Sequence, residues 1–250
     1  MTKTVLITGV SRGIGNATAQ LFSEKGWQVI GVSQESIHEP LEGVDHYIQG
    51  DISQPRDIEA IFNNISIHYE KIDCLVNNAA LQICKPILEM TIEEWDSIMD
   101  TNLRSVFLFS KYSHPYLQKS HGAIVNVSSV HAVSTSADIA AYATSKGGIA
   151  AFTRALAIEY AQEMIRVNAV LPGAVDTPML RAGLSRNHVT GSSIDERLQV
   201  LAEKHLFKRV IRPDEIANMI YFLADNSLSS AITGQCFVVD GGATIKLSTE

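Results

Sequence analysis

Short apolar runs rich in β-branched residues recur along the chain, and most are followed by a stretch with helical periodicity. A short run that is apolar on both faces is typical of a strand inside a parallel sheet. The runs lie at 3–8, 27–32, 45–49, 72–76, 123–129, 166–171 and 235–239. Strands that alternate with helices predict a single α/β domain over residues 1–250, with a doubly wound, seven-stranded parallel sheet and helices on both faces.

Three connections depart from simple alternation. Residues 34–44 contain Pro40 and Gly43 and predict a loop where a full helix would otherwise stand. Residues 92–119 predict one helix with Asn102 in its middle, a position where asparagine usually faces solvent or binds water. Residues 176–205 lose their periodicity, and an irregular connection of this length predicts a substrate lid.

Composition narrows the class of protein. A hydrophobic content of 46% with 19% charged residues is typical of a globular chain. The net charge of -7 and the pI near 5.6 argue against nucleic acid as a main partner. No apolar run approaches the roughly 18 residues of a membrane span, and three cysteines without a C-x-x-C pair predict a reducing, cytoplasmic compartment. The histidines show no zinc-ligand spacing, so no metal site is expected.

A glycine-rich turn joins the first predicted strand to the first predicted helix, as Gly9-Val10-Ser11-Arg12-Gly13-Ile14-Gly15. Between a strand and a helix, such a turn lets backbone N–H groups approach a pyrophosphate, and the helix N-terminus favours its charge. The turn could be a plain turn, but its place between strand and helix favours nucleotide binding, although its spacing is G-x-x-x-G-x-G and not the commoner G-x-G-x-x-G.

The end of the second strand bears on the choice of cofactor. In NAD-binding Rossmann units an acidic residue about 20 residues past the glycines binds the ribose 2′-hydroxyl. Ser33 stands at this point, and Arg12 lies in the glycine turn. A serine with a nearby arginine accepts a 2′-phosphate, so NADP is favoured, while Glu35 keeps NAD open.

The candidate chemistry lies between Ser129 and Lys146. Tyr142 and Lys146 are four residues apart, so on a helix over 142–160 they share one face. An ammonium beside a phenol favours the phenolate, and the pKa of Tyr142 is expected to fall from about 10 towards neutrality. Tyr142 would then act as a general acid or base, with the Ser129 hydroxyl holding a substrate oxygen beside it.

Two other strand ends carry polar or small residues. Asp51 follows the third strand and either holds the adenine amino group or only shapes the turn into the next helix. The fourth strand runs into Asn77-Asn78-Ala79-Ala80, whose small and amide side chains let a ribose pack against the backbone.

Taken together and in this order, the motifs resemble those of the short-chain dehydrogenase/reductase family, over essentially the full length of the chain. The chain departs from the family at Ala80, where glycine is usual, and at Ser33, where NAD-dependent members carry an acid. The matching stretches are Thr8-Gly9-x-x-x-Gly13-x-Gly15, Asn77-Asn78-Ala79-Ala80, Asn102, Ser129, Tyr142-x-x-x-Lys146 and Pro172-Gly173.

The resemblance implies a role for each matching residue. Tyr142 would be the catalytic acid/base, Ser129 would orient the substrate, and Lys146 would lower the tyrosine pKa and hold the nicotinamide ribose. Asn102 would position a water that links Lys146 to solvent. The cofactor would be lined, besides Tyr142 and Lys146, by Gly9, Ser11, Arg12, Gly13, Ile14, Gly15, Ser33, Asp51, Ile52, Asn78, Ala79, Pro172, Gly173, Val175 and Thr177. Family members are commonly tetramers, joined through helices near 102–119 and 142–160 and through the C-terminal segment.

The resemblance also implies a small alcohol or carbonyl compound as substrate. The run from Ser128 to His131, the short 34–44 connection and the extension after Gly242 are most similar to glucose and aldohexose dehydrogenases, which favours a sugar or polyol. Gln82 and His131 are the candidate substrate residues, although Gln82 fits equally well as a turn cap. A ketoacyl or other small-ketone reductase is the alternative. A non-catalytic nucleotide-sensing protein on the same fold would not need both Tyr142 and Lys146.

Overall fold

A parallel sheet forms the centre of the computed structural model, which describes residues 2–184 and 191–245. The predicted seven-stranded parallel sheet is confirmed, with strand ends within two residues of those expected. The strands are β1 Thr4–Thr8, β2 Gln28–Ser33, β3 His46–Gln49, β4 Cys74–Asn77, β5 Ala123–Val127, β6 Arg166–Pro172 and β7 Cys236–Val239.

The strand order is β3-β2-β1-β4-β5-β6-β7. From β1 the chain moves outward through β2 to the edge strand β3, then returns to the other side of β1 as β4. Leu6 of β1 therefore pairs with Ile30 on one side and with Leu75 on the other. In open sheets of this kind, ligands bind at the carboxyl ends of the strands where the direction of winding reverses. Here that point lies between β1 and β4.

Helices cover both faces of the sheet, as predicted. Alternate residues of β1 point to opposite faces, so Val5 and Ile7 join one apolar core and Leu6 joins the other. The helices in the described ranges are α1 Gly13–Glu24, α2 Pro55–His68, α3 Ile92–Met99, α4 Ser105–Ser120, α5 Ala140–Glu159, α6 Pro178–Gly183, α7 Ile194–Glu203, α8 Pro213–Ala224 and α9 Asn226–Ser229.

Aromatic side chains fix the helices on each face. On the first face, the ring of Phe22 in α1 meets Trp27 and Tyr221 edge-on, at centroid distances of 5.0 Å and 5.3 Å. On the second face, Phe62 of α2 meets Phe109 of α4 at 5.4 Å. Edge-to-face pairs of this kind add directional attraction to the apolar burial.

The single helix expected over 92–119 is interrupted. A π-helical segment, Asp100–Arg104, separates α3 from α4. Its wider turn carries Asn102 into the protein interior, where the residue has no exposed surface. Of the two interpretations of Asn102, the solvent-facing one is wrong, because periodicity assumes a uniform α-helix and the chain does not keep one, while the water-binding one stays a prediction.

Two loop expectations have different outcomes. Residues 34–45 between β2 and β3 form a loop, as predicted. The region 176–205 contains the helices α6 and α7 where an irregular connection was expected, and residues 185–190 of it lie outside the described ranges. A side-chain hydroxyl caps the start of each helix: the Thr177 hydroxyl accepts from the N–H of Leu180, and the Ser193 hydroxyl accepts from the N–H of Glu196.

Helix α2 offers a matched test of the second core. Ile65 is fully buried, whereas Ile67 is 76% exposed on the same helix. We expect Ile65→Ala to lower the free energy of unfolding by about 2–5 kcal/mol, through lost burial and a residual cavity. Ile67→Ala should change it by less than about 0.5 kcal/mol. Urea unfolding at fixed protein concentration measures both, and equal losses would contradict this description of the core.

Candidate active site

The glycine turn lies at the carboxyl end of β1 and closely approaches the end of β4. Gly9 and Gly13 have φ angles of +75° and +61°, which side chains disfavour. A Cβ atom on Gly9 would lie 2.9 Å from the Cα of Ala79. A Cβ atom on Gly15 would lie 2.0 Å from the carbonyl oxygen of Gly9. The predicted cofactor residues Gly9, Gly13, Gly15 and Ala79 are thus brought together.

Asn78 and Thr8 hold this arrangement in place. The Asn78 side-chain amide donates to the carbonyls of Thr8 and Gly9 at 2.9 Å and 3.2 Å. The Thr8 hydroxyl accepts from the backbone N–H groups of Asn78 and Ala79 at 3.0 Å and 3.1 Å. The Asn78 amide was expected to line the cofactor, and in the structure it positions the glycine turn.

The first turn of α1 is suited to an anion. Arg12 precedes the helix and makes no side-chain capping bond to it, so the first backbone N–H groups are not used by a cap. Helix α3 differs, since Thr91 and Glu94 form a reciprocal capping box there. Gly13, Ile14 and Gly15 thus offer N–H groups at a positive helix end, with no side chain on Gly13 or Gly15 to obstruct a pyrophosphate. The residues present fit a dinucleotide.

The remaining predicted cofactor residues form two groups. After β3, Asp51 accepts from the N–H of Ser53 at 2.9 Å, and Ile52 packs into the apolar core that also holds Leu6. Asp51 therefore shapes its turn, and the adenine contact stays a prediction. At the other end, Thr177 reaches the glycine turn, because a Cβ atom on Gly13 would lie 3.1 Å from its methyl carbon.

Pro172, Gly173 and Val175 lead from β6 towards Thr177. Pro172 is the last residue of β6, and the N–H of Gly173 donates to Val239 at 2.9 Å. A Cβ atom on Gly173 would lie 2.8 Å from the Cα of Asp240, so glycine is needed for this close approach. Val175 is 5% exposed and forms a bridge with Ile211. The strand end is thereby held against the end of β7.

Tyr142 and Lys146 lie on the first two turns of α5 and face the end of β5. Both are buried, at 8% and 2% exposure. The Lys146 ammonium donates to the carbonyl of Val127 at 2.8 Å and lies 5.5 Å from the centre of the Tyr142 ring. The Ser128 hydroxyl donates to the carbonyl of Lys146 at 2.8 Å. The predicted shared face of the pair is therefore turned inward.

The pKa values of the pair differ from the sequence prediction. Burial raises the pKa of Tyr142 to about 12, although a hydrogen bond with Ser129 opposes this and the nearby Cys84 thiol adds to it. Burial lowers the pKa of Lys146 to about 7. The expected fall in the tyrosine pKa is not found, because desolvation outweighs the attraction and leaves the lysine only partly charged near neutral pH.

Ser129 and His131 complete the wall beside Tyr142. The Ser129 hydroxyl accepts from the N–H of His131 at 3.2 Å and is the hydrogen-bonding partner of Tyr142. The His131 ring meets the Tyr142 ring edge-on at 6.0 Å, and its Nδ1 is 3.0 Å from the Thr135 hydroxyl. The structure therefore places one of the two candidate substrate residues next to the candidate acid/base.

Asn102 connects the loop after β4 to helix α5. Its carbonyl oxygen accepts from the N–H of Leu81 at 2.7 Å. Its amide donates to the Leu81 carbonyl at 2.9 Å and to the Ser145 hydroxyl at 3.0 Å. Ser145 in turn donates to the carbonyl of Tyr142 at 2.7 Å. Gln82, the other candidate substrate residue, directly follows the loop residue that Asn102 holds, and the water relay stays a prediction.

Sequence reasoning missed the partners of the expected residues. Ser145 and Leu81 hold Asn102, and Cys84 lies near enough to Tyr142 to influence its pKa. A serine next to Lys146 inside the Tyr-x-x-x-Lys spacing carries no signal of its own, and a carbonyl partner such as Val127 carries none in any sequence.

Within residues 2–184 and 191–245, no group of three or more His, Cys, Asp or Glu side chains is placed to hold a metal ion. The helices of the same residues include none that is long and apolar enough to cross a membrane.

The known proteins that this chain resembles are described as dehydrogenases or reductases. The family model described as enoyl-(acyl carrier protein) reductase matches residues 9–244. The 3-oxoacyl-acyl-carrier-protein reductase FabG of Escherichia coli is 35% identical, over 96% of this chain and 96% of that protein. Aldohexose dehydrogenase of Thermoplasma acidophilum, solved ligand-free, has a TM-score of 0.91 and 34% identity, covering 99% of this chain and 96% of that one. An actinorhodin polyketide ketoreductase variant, solved with NADPH, has a TM-score of 0.89 and 28% identity, covering 97% of each chain.

The lowered pKa of Lys146 predicts a pH dependence of stability. In the unfolded chain this lysine keeps its proton up to its ordinary pKa of 10.5, whereas in the folded chain it loses the proton near pH 7. Between these values the unfolded chain binds more protons, so the free energy of unfolding should rise with pH, by at most about 1.4 kcal/mol per pH unit from this group. Lys146→Met should remove that contribution.

Urea unfolding between pH 7 and 8.5 measures the slope for the wild type and Lys146→Met. Lys111→Met, at an exposed position on α4, is the control and should keep the wild-type slope. The same slope in the wild type and Lys146→Met would show that Lys146 is charged in the folded protein at neutral pH.

Proposed function

The chain belongs to the short-chain dehydrogenase/reductase family, and from this we propose that it transfers hydride between a nicotinamide dinucleotide and a secondary alcohol or its carbonyl, with Tyr142 as general acid/base. The observation that carries the proposal is the meeting of Tyr142, Ser129 and Lys146 at the end of β5. The glycine turn lies two strands away at the end of β1, on the same edge of the sheet. This edge would hold the cofactor and substrate side by side.

The residues of the chain position the reactants and move a proton. A bound nicotinamide supplies the hydride chemistry. Ser129 would donate to the substrate oxygen, and Tyr142, as a neutral phenol with a pKa of about 12, would give it a proton during reduction. Lys146 has a pKa of about 7, so it is able to return a proton to Tyr142 near neutral pH. For oxidation the proton would move in the opposite direction.

Asn102 and Lys146 would act behind Tyr142. Asn102 fixes the loop that starts at Leu81 and, through Ser145, the first turn of α5. We assign to it the positioning of this turn and, following the family, of a water that leads from Lys146 towards solvent. Lys146 would also hold the nicotinamide ribose.

We propose two substrate classes that the contacts support. His131 lies beside Tyr142 and is bonded to the Thr135 hydroxyl, and these polar groups favour the hydroxyls of a sugar or polyol, to which Gln82 would add a further hydrogen bond. A groove of about 390 Å³ between residues 85–88 and 135–140 instead favours a longer ketone or ketoacyl compound, because Ile87 and Leu88 expose apolar surface there. Turnover with aldoses and polyols against ketones and ketoacyl esters, followed by the absorbance of reduced nicotinamide, separates the two.

Tyr142→Phe tests the catalytic assignment. Removing the phenolic hydroxyl takes away the proton donor, so we expect kcat to fall by about a hundredfold to ten-thousandfold. Cofactor affinity, measured by calorimetric titration, should change little, because the ring is retained. Tyr160→Phe, at the far end of α5, is the matched control and should keep its activity. Substantial turnover by Tyr142→Phe would remove Tyr142 from the mechanism.

We also propose that copies of the chain assemble into a homotetramer through the outer faces of α4 and α5. An apolar groove of about 460 Å³ opens between the two helices, and Phe107 on its rim is 46% exposed. Its other lining residues are Met99, Asp100, Leu103, Arg104, Gly148 and Phe152. Apolar surface at a helix pair is a common basis for association.

Phe107→Glu tests the assembly. A buried, unpaired carboxylate at the interface is costly, so the variant should elute as a smaller species in size-exclusion chromatography with light scattering. Ile67→Glu, on the exposed side of α2, should leave the assembly unchanged. A monomeric wild type, or a Phe107→Glu tetramer, would exclude this interface.

A further inference from the structure

Two histidines meet at the amino end of the edge strand β3, at the end of the sheet opposite the glycine turn. His46 is the first residue of β3, and His68 is the last residue of α2. They are 22 residues apart along the chain, so the local spacings that indicate metal ligands in a sequence do not include this pair. In the fold their ring centres lie 5.1 Å apart, with the ring planes at 88°.

The topology of the sheet brings the two rings together. Ile48, two residues after His46, is buried in the same core as Ile65 of α2. Because side chains alternate along a strand, His46 points to the α2 side of the sheet as well. Strands β3 and β4 both run parallel to their neighbours, so α2, which connects them, must return along the sheet. Its last turn, with His68, therefore lies at the amino end of β3.

Tyr69 holds the His46 ring in its orientation. The two rings are stacked, with centres 5.8 Å apart and planes at 20°. Tyr69 is itself fixed at the end of α2, where its N–H donates to the carbonyl of Ile65 at 2.9 Å. Within residues 2–184 and 191–245, no ring nitrogen of His46 or His68 is hydrogen-bonded to another side chain or carbonyl. Both imidazoles therefore keep their nitrogens for a ligand.

The surroundings of the pair favour neutral rings and a bound cation. Burial lowers the pKa of His46, and the neighbouring His68 lowers it further, so the His46 ring is neutral at pH 7. The neutral ring is the form that binds a metal. His68 lies in the last turn of α2, where the helix dipole favours positive charge. Burial raises the pKa of Tyr69, and the carboxylate of Asp45 raises it further, which shows that a negative charge lies nearby.

We propose that His46 and His68 form a site for a divalent transition-metal cation such as zinc, which would tie the edge strand β3 to the end of α2. Two imidazoles that share one zinc, at Zn–N distances of about 2.1 Å, have ring centres about 5 Å apart, as this pair has. His68 is exposed, so its ring is able to turn a nitrogen towards the metal without displacing the core. Water would fill the remaining coordination positions.

A metal at this point would strengthen the edge of the sheet. Strand β3 is paired on one side only, with β2, so it depends on α2 and on the neighbouring loops for further support. Two protein ligands are fewer than the three or four of catalytic and structural zinc sites, so the site is expected to bind with moderate affinity. It lies at the other end of the sheet from Tyr142, and the proposal is independent of the proposed function.

Calorimetric titration of the full chain with zinc chloride, at pH 7.5, tests the site. His46→Gln and His68→Gln each remove one of the two ligands, so each should weaken the zinc binding seen in the wild type by about tenfold or more. Zinc at a hundredfold excess over its Kd should also raise the Tm of the wild type by about 5 °C, and EDTA should reverse the rise. Neither variant should show this shift at the same zinc concentration.

His38→Gln is the matched control, because His38 is an exposed histidine on the loop between β2 and β3. It should keep the wild-type zinc affinity and the wild-type shift in Tm. The proposal is overturned if the wild type binds no zinc, or if His68→Gln, at an exposed position that tolerates the change, binds zinc as tightly as the wild type. Zinc would then be held elsewhere, for example by cysteine thiols. Neither result bears on hydride transfer, so the proposed function would stand or fall on its own tests.

Discussion

One hydrogen bond, from the buried ammonium of Lys146 to the carbonyl of Val127, fixes the position of helix α5 against the end of β5. An unpaired ammonium in this environment would be costly, so the bond is retained wherever the helix packs in this way. The Ser128 hydroxyl bonds to the carbonyl of Lys146 in the opposite sense. Together the two bonds fix the position of α5 along its axis relative to the end of β5. Tyr142, one turn before Lys146, is thereby brought to Ser129.

Buried polar groups extend this arrangement across the sheet. The Asn77 amide donates to Asn126 at 2.8 Å, and the Asn126 amide donates to the Thr153 hydroxyl at 2.9 Å. These three side chains join β4, β5 and α5 within a largely apolar core. Because a buried amide without a partner is unfavourable, a shifted register would leave several of these groups unpaired. The network therefore specifies one alignment of the elements that carry the site.

Much of the fold could be predicted from the sequence because its signals are local. Apolar runs predicted the strands, and Pro40 and Gly43 predicted the loop after β2. The glycine turn predicted the connection from β1 to α1. The spacing of Tyr142 and Lys146 placed them on one helix face for the same reason. What escaped prediction depends on distant parts of the chain. The burial of Asn102 follows from a π-helical segment, and the pKa values of Tyr142 and Lys146 follow from the whole core around them. Nor could the sequence show that the Tyr47 hydroxyl, on the neighbouring strand β3, donates to the carbonyl of Glu35.

The depressed pKa of Lys146 also has a consequence for chemoselectivity. An amine with a pKa of about 7 is about half neutral near pH 7, and a neutral amine attacks aldehydes and ketones to form imines. The site proposed here receives carbonyl compounds, so its supporting lysine is also a latent nucleophile towards them. With 2% of its surface exposed and its nitrogen bonded to Val127, Lys146 is sterically withheld from that reaction. The burial that creates the reactivity also protects the substrate from it.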